Sequence, residues 1–249
     1  MTRIRKKFGA PFWPVLAALF IIAFADHSFA DTRKLVSQSD WPWQAIGRVN
    51  IENSGYCTGT LVGPKTVLTA AHCLLDQRTK GPAHMTRLHF VAGYQRGEFL
   101  AHATVIGVET PAIRTAESDW ALLTLDRDIS PIVTPIPVVP LNADNWRMMK
   151  QAKAGFVQAG YRKKQAHALS VNHNCKLTKF DPVKNLLFHK CRVMSGDSGG
   201  PIMAYVNGSY AVIAVHTART NAKSAGFGVA ITGAAYSDLI RFEKFKPLN

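Results

Sequence analysis

The stretch that could do chemistry most directly is VMSGDSGGPIM, Val193 to Met203. It sets Ser198 between Asp197 and two glycines, with a further glycine, Gly196, two residues upstream. Glycines lose much backbone entropy on ordering and neither fill a core nor continue a helix well, so such a run serves through its backbone. A turn of this composition can aim several peptide N–H groups at one point beside a projecting hydroxyl, the arrangement that stabilises a developing oxyanion. A serine hydroxyl is a weak nucleophile at neutral pH and needs a base, most often a histidine oriented by a buried carboxylate. Both are available. VLTAAHC places His72 directly before Cys73 at the end of an apolar stretch, and ESDWALLTL places Asp119 at the head of another. Taken singly, each would be an ordinary structural residue; together they can form a nucleophile, its base and the base's orienting acid, provided that folding joins three distant segments.

The elements that must do the joining are short. QAIGRVNI, CTGTLVG, KTVLTAA, LHFVAGY, HATVIGVE and WALLTL are strand-sized, rich in β-branched and aromatic residues and cut by turn residues. A second set follows: AKAGFVQAGY, NLLFHKC, GGPIMAYV, YAVIAVHT and GFGVAIT. The pattern is that of an all-β protein with two similar halves, residues 41–130 and 149–249. Between them, ISPIVTPIPVVPLN carries prolines at 131, 135, 137 and 140, which remove ladder donors and keep the backbone extended, so residues 131–148 read as an interdomain linker. SDLIRFEKFKPLN, with Ser237 as an N-cap and Leu239, Ile240, Phe242 and Phe245 at near-helical spacing, predicts one short C-terminal helix.

Composition narrows the setting. The 249 residues, 47% hydrophobic, suffice for one large or two small cores. Residues 1–30 put Arg3, Arg5, Lys6 and Lys7 before an apolar run from Pro11 to Ala25, then Ser28 and Ala30 ahead of a cut. That is the form of a signal peptide, too short to span a bilayer, so a secreted or periplasmic chain starting near Asp31, with residues 31–40 as an N-terminal segment or short propeptide, is expected. Its removal lowers the net charge from +14 to +11. Runs such as Arg162, Lys163 and Lys164 could meet anionic polymers, but no aromatic interleaving, zinc spacing or recognition helix accompanies them, which argues against nucleic-acid binding. Four cysteines in an exported chain imply two disulfides; three pairings exist, and equal spacing favours Cys57 with Cys73 and Cys175 with Cys191. His84, His89, His102, His167, His173 and His189 lack metal-site spacing and are assigned surface or packing roles.

WPWQAIGRV, CTGTLVGPKTVLTAAHC, DWALL and GDSGGP occur in the order found in chymotrypsin-type serine proteases, and the chain resembles that family, in particular its secreted bacterial branch with V8-like glutamyl endopeptidases. The resemblance spans about Trp41 to Thr232. It implies two six-stranded antiparallel barrels with the site between them, and a peptide or protein substrate hydrolysed without a metal or other cofactor. His72 would be the general base, Asp119 its orienting acid and Ser198 the nucleophile, with the N–H groups of Gly196 and Ser198 as the oxyanion hole. The alternatives are a non-catalytic binding protein on the same fold and a basic surface-associated protein.

The chain also departs from the family pattern. Activated members carry an Ile-Val-Gly-Gly type terminus whose amine pairs with the aspartate before the nucleophile, here Asp197. No such string exists, but DTRKLVSQSD would yield a Leu-Val terminus if cut after Lys34, so the chain reads as a zymogen whose activity is set by this cut or by signal removal alone. Proteases that cut after Lys or Arg place an aspartate six residues before the nucleophile, where this chain has Arg192. In VIAVHT, His216 and Thr217 fall where relatives line the specificity pocket; Arg192 and His216 then predict a preference for acidic P1 residues, and Thr217 is expected to offer its hydroxyl to Asp119.

Overall fold

The computed structural model describes residues 33–112, 115–206, 208–220 and 228–240. The expected signal peptide lies outside them. Fourteen strands and one α-helix follow the chain as β1 (Lys34–Leu35), β2 (Ile46–Ile51), β3 (Gly55–Gly63), β4 (Thr66–Thr69), β5 (Leu88–Ala92), β6 (Ala101–Glu109), β7 (Ala121–Leu125), α1 (Ala143–Gln151), β8 (Gly155–Gly160), β9 (Ser170–Asn172), β10 (Leu177–Asp181), β11 (Leu186–His189), β12 (Pro201–Val206), β13 (Ser209–Arg219) and β14 (Gly228–Thr232).

The first half closes into an antiparallel barrel in the order β2-β3-β4-β7-β6-β5, with β5 pairing back onto β2. Alternation along its strands explains the closure. In β6, Ala101, Ala103 and Val105 are buried while His102 and Thr104 between them are partly exposed. In β2, Val49 and Ile51 point in and Arg48 and Asn50 point out. Phe90 fills the interior because Gly47 on the paired strand has no side chain; a Cβ there would lie 2.6 Å from the Phe90 ring.

The second half is an open sheet of eight strands, β1-β9-β8-β12-β13-β14-β11-β10, and so departs from a closed six-stranded barrel. The N-terminal segment accounts for one addition: Lys34 and Leu35 pair with Val171 and Ser170 and extend the sheet past β9. One continuous apolar core nonetheless joins both halves, from Leu61, Leu68 and Leu123 to Val157, Val171, Met203 and Val215. A second cluster around Ile202, Ile213 and Leu187 is covered by Trp146 and Met149 of α1.

That helix stands where a plain linker was expected. After a turn through residues 130–133, residues 134–142 run without helix and dock on both sheets: Ile136 N–H donates to Leu61 O (3.0 Å), Val139 N–H to Val212 O (2.9 Å) and Val212 N–H to Pro137 O (2.8 Å). The Asn142 side chain then accepts from Asn145 N–H at 2.8 Å and caps the first turn of α1. At the other end, Ser237–Leu239 forms a 3-10 turn after Tyr236, and the rest of the expected terminal helix, residues 241–249, lies outside the described residues. No helix among the described residues is long and apolar enough to cross a membrane.

The cysteines pair as neighbours, Cys57 with Cys73 and Cys175 with Cys191. Loops of this length stabilise by about 3 kcal/mol each in the chain-entropy account. The loop after Cys73 is fastened by Asp76, whose buried carboxylate accepts from Arg78 N–H (2.9 Å) and from the Arg87 guanidinium (2.6 Å).

Two outcomes follow for stability. Replacing Phe90 with Ala should cost about 3–5 kcal/mol, read as a lower denaturant midpoint at unchanged slope. For Asp76, the Arg78 N–H and then Arg87 hold the carboxyl well below its ordinary range. A depressed folded-state pKa contributes stability that is full above the unfolded value near pH 4 and is lost as pH falls further. Asp76→Asn should therefore lower stability at neutral pH and flatten the acid limb of a melting-temperature profile; an unchanged acid limb would remove this role.

Candidate active site

The short β4 ends at Thr69, and the chain turns at once into a 3-10 helix, Ala71–Leu74, whose Ala71, Cys73 and Leu74 are buried. His72 is the member that faces the cleft, held on one side by the Cys73 disulfide to β3. Asp119 lies just ahead of β7, beside Trp120, which is buried against the Tyr236 ring at a centroid distance of 5.7 Å. Trp120 is pinned further by its carbonyl, which accepts from Thr110 Oγ1 at 2.7 Å.

These two supports bring Asp119 onto His72 in a doubly anchored contact. Asp119 Oδ1 accepts from the His72 backbone N–H at 2.8 Å, and Oδ2 lies 2.7 Å from His72 Nδ1. A carboxylate only accepts, so Nδ1 carries the proton and Nε2 keeps its lone pair for another donor. The imidazole is 38% exposed and Asp119 16%, so the acid is sheltered while the base remains reachable.

Ser198 lines the same cleft as His72, with Tyr56, Ser195 and Gly196; its volume is about 400 Å³. The serine side chain makes no hydrogen bond among the described residues, as is common before substrate tightens a site. Its turn is tightly constrained. Gly196 has φ +94°, a conformation that L side chains rarely adopt, and a Cβ there would meet Tyr161 O at 2.2 Å. Neither the Gly196 nor the Ser198 N–H has an acceptor among the described residues, whereas Asp197 N–H bonds to Met194 O (3.0 Å) and Gly199 N–H to His216 O (2.7 Å). Two adjacent-but-one amides are thus left to donate beside a hydroxyl.

Thr58 on β3, a residue that sequence reasoning missed, fixes that turn from the first barrel. Its Oγ1 donates to Gly196 O at 2.7 Å and accepts from Tyr161 N–H at 2.9 Å, and its N–H bonds to Ser198 O at 2.9 Å. Nothing but a threonine inside a strand pattern marks it in the sequence.

Beside Ser198 lies a second pocket of about 310 Å³, bounded by Val193, Met194, Ser195, His216, Thr217, Ala218 and Arg219. His216 is buried, and its Nδ1 lies 3.2 Å from Nε2 of buried His189. Burial lowers the pKa of both, that of His189 to about 4, so the pair is neutral near pH 7.

Two expectations need correction, and Asp197 has a partner that the sequence did not announce. Arg192 does not border this pocket: it is exposed between buried Cys191 and Val193, so the backbone turns it outward. Thr217 does not serve Asp119, since its Oγ1 donates to Val229 O at 3.3 Å across the β13–β14 pair. Asp197 has a cationic partner in the uncut chain: Arg33 Nη1 lies 2.8 Å from its Oδ1 and 2.7 Å from its Oδ2. Two clusters of Cys and His, around His72 and around His189, approach chelating distance, but their cysteine sulfurs are tied in disulfides and offer no thiolate.

The family model for trypsin matches residues 33–240, the span that holds both sheets and every group named above. The chain belongs to the trypsin family. Among solved structures, a glutamyl endopeptidase in complex with MPD superposes with a TM-score of 0.69 at 19% identity, covering 84% of this chain and 95% of that one. At that identity the likeness speaks to the fold, and family membership makes this trypsin-family chain a serine-type endopeptidase.

If Thr58 holds the turn, Thr58→Val should leave a buried carbonyl and a buried amide unpaired. The expected cost is about 1–3 kcal/mol of stability, with turnover reduced in the fraction that stays folded. Full turnover in a destabilised variant would show that the turn keeps its shape without Thr58.

Proposed function

We propose that this trypsin-family enzyme is an exported endopeptidase that acylates Ser198 and prefers acidic P1 residues. The observation that carries the catalytic part is the doubly anchored His72–Asp119 contact at the cleft shared with Ser198. In this reading His72 Nε2 takes the Ser198 proton as Oγ attacks the scissile carbonyl. The oxyanion is received by the N–H groups of Gly196 and Ser198, and His72 passes the proton to the leaving amine. Water, deprotonated by the same imidazole, then hydrolyses the ester. Two disulfides and the basic-then-apolar N-terminal segment support export.

The acidic preference rests on the pocket beside Ser198. Among the described residues its lining includes His216 and Arg219 and no carboxylate. Neutral His216 can accept at Nδ1 from His189 and donate Nε2–H to a substrate carboxylate, while Arg219, at the exposed end of β13, supplies charge from the rim. The similarity in fold to a glutamyl endopeptidase is in keeping with this.

Organophosphonate labelling of Ser198 together with a P1 scan tests both parts. Ser198→Ala or His72→Ala should lower kcat by about 10⁶, the order measured for subtilisin, and Asp119→Asn by about 10⁴ through loss of the correct tautomer. Arg219→Gln should reduce kcat/KM for Glu at P1 by about tenfold and leave Ala at P1 unaffected. Efficient cleavage after Lys or Arg would end the acidic assignment.

A further inference from the structure

The buried ion pair between Arg33 and Asp197 is the feature that the catalytic scheme leaves unused. Both side chains are fully shielded from solvent. Arg33 Nη1 meets both Asp197 oxygens, and Nη2 donates to Ser170 O at 2.7 Å, so the guanidinium also ties the carboxylate to β9. The pair sits one residue before Ser198 and one after Gly196. Asp197 Oδ2 in turn accepts from Met194 N–H at 2.8 Å, closing the turn that presents the two free amides. On the opposite side a Cβ at Gly160 would lie 2.5 Å from Asp197 Oδ1, so the carboxylate is packed directly against β8 backbone. A carboxylate enclosed in this way needs a permanent cation, and burial alone pushes its pKa up.

The cation comes from the N-terminal segment, and its neighbours show that it is seated rather than passing through. Lys34 and Leu35 pair with Val171 and Ser170, and both of their side chains are exposed. Arg33, immediately before them, is the residue that turns inward. A cut after Lys34 would therefore remove the group that neutralises Asp197 and would leave the new terminus on an exposed edge strand.

We infer that Arg33 is the positioning residue that locks the Gly196–Ser198 turn in its oxyanion-binding shape, so that the uncut chain is competent and cleavage at Lys34–Leu35 switches it off. This rests on the reading of Ser198 as the nucleophile. It reverses the activation expected from the sequence, in which the same cut creates the partner of Asp197.

The test uses the exported full-length gene product and four forms: wild type, Arg33→Met, Arg33→Lys and Lys34→Gln. Each is titrated with an organophosphonate, assayed for kcat and KM on a peptide substrate, and melted to establish its folded fraction. The labelled wild type is also weighed intact and sequenced from its N-terminus. Expected are a labelled wild type that retains Arg33, and Lys34→Gln with unchanged kcat. Losing an oxyanion donor costs about 10²–10³ in turnover, so Arg33→Met should lose about 100-fold in kcat with KM within about threefold. Arg33→Lys, which restores charge without the two-pronged contact, should recover about tenfold.

A folded Arg33→Met with wild-type kcat would overturn the inference, as would an active wild type that begins at Leu35 or a Lys34→Gln that stays inactive. A purely structural role would lower the melting temperature and leave kcat per folded molecule unchanged, which also overturns it. Should Arg33→Met fail to fold, the terminus of the labelled wild type and the activity of Lys34→Gln still decide. A wild type that no phosphonate labels would overturn the reading of Ser198 and this inference with it, whereas labelled wild type beside an unaffected Arg33→Met overturns the inference alone.

Discussion

The site depends on one constraint: the backbone from Ser195 to Gly200 must hold two N–H groups without intramolecular acceptors beside a hydroxyl. Left to itself such a segment would collapse, because an unpaired amide gains by finding any nearby carbonyl. The fold prevents this by occupying the competing carbonyls. Gly196 O is taken by Thr58 Oγ1, Ser198 O by Thr58 N–H, His216 O by Gly199 N–H and Met194 O by Asp197 N–H. These bonds hold each carbonyl in a fixed direction, and the Gly196 and Ser198 amides are left without an acceptor among the described residues. The turn's shape is thus a property of two sheets meeting, since Thr58 belongs to the first barrel and the turn to the second.

Cooperation between the halves explains why the core is continuous. A hinge between independent domains would let Thr58 move relative to Gly196 by more than a hydrogen bond tolerates. Instead, Leu61 and Leu68 share one apolar cluster with Val157 and Met203, and the proline-rich connector bonds to Leu61 and Val212 at once. The prolines contribute by keeping that connector extended, which allows it to add hydrogen bonds to both sheets without coiling.

The strands, and the meeting of His72 with Asp119 at a cleft shared with Ser198, were legible in the sequence because they rest on local signals: β-branched stretches cut by turn residues, glycine at the tight turn, and histidine beside a cysteine. What was not legible depends on pairing at a distance. The open sheet could not be read because β1 is only two residues long and its partner, β9, is about 135 positions away. Helix α1 was hidden by the prolines before it; its cap, Asn142, and its covering residues Trp146 and Met149 were visible only as polar and bulky residues after a linker. Arg192 matched a family position by counting back from Ser198, but counting does not give orientation, and burial of Cys191 and Val193 turned it out. Arg219 borders the pocket instead, since it ends the strand that His216 occupies.

Two carboxylates, Asp119 and Asp197, belong to the surroundings of Ser198, one through His72 and one as its chain neighbour, and their partners differ. Asp197 is fully enclosed and faces a guanidinium that does not lose its proton at any working pH. The cation is therefore permanent and cancels the carboxylate's field at short range, so Asp197 bears on the turn through geometry, by accepting from Met194 N–H. Asp119 faces an imidazole, the one partner whose charge changes during an acyl transfer. In the proposed mechanism its field becomes compensated when His72 takes the serine proton, which favours the transition state over the ground state. Exchanging the two partners would defeat both roles: a histidine at Asp197 would make the turn's order depend on pH, and an arginine at Asp119 would leave Ser198 without a base. The division of labour thus follows from which cation each acid was given, and from the burial that holds one of those cations beyond the reach of water.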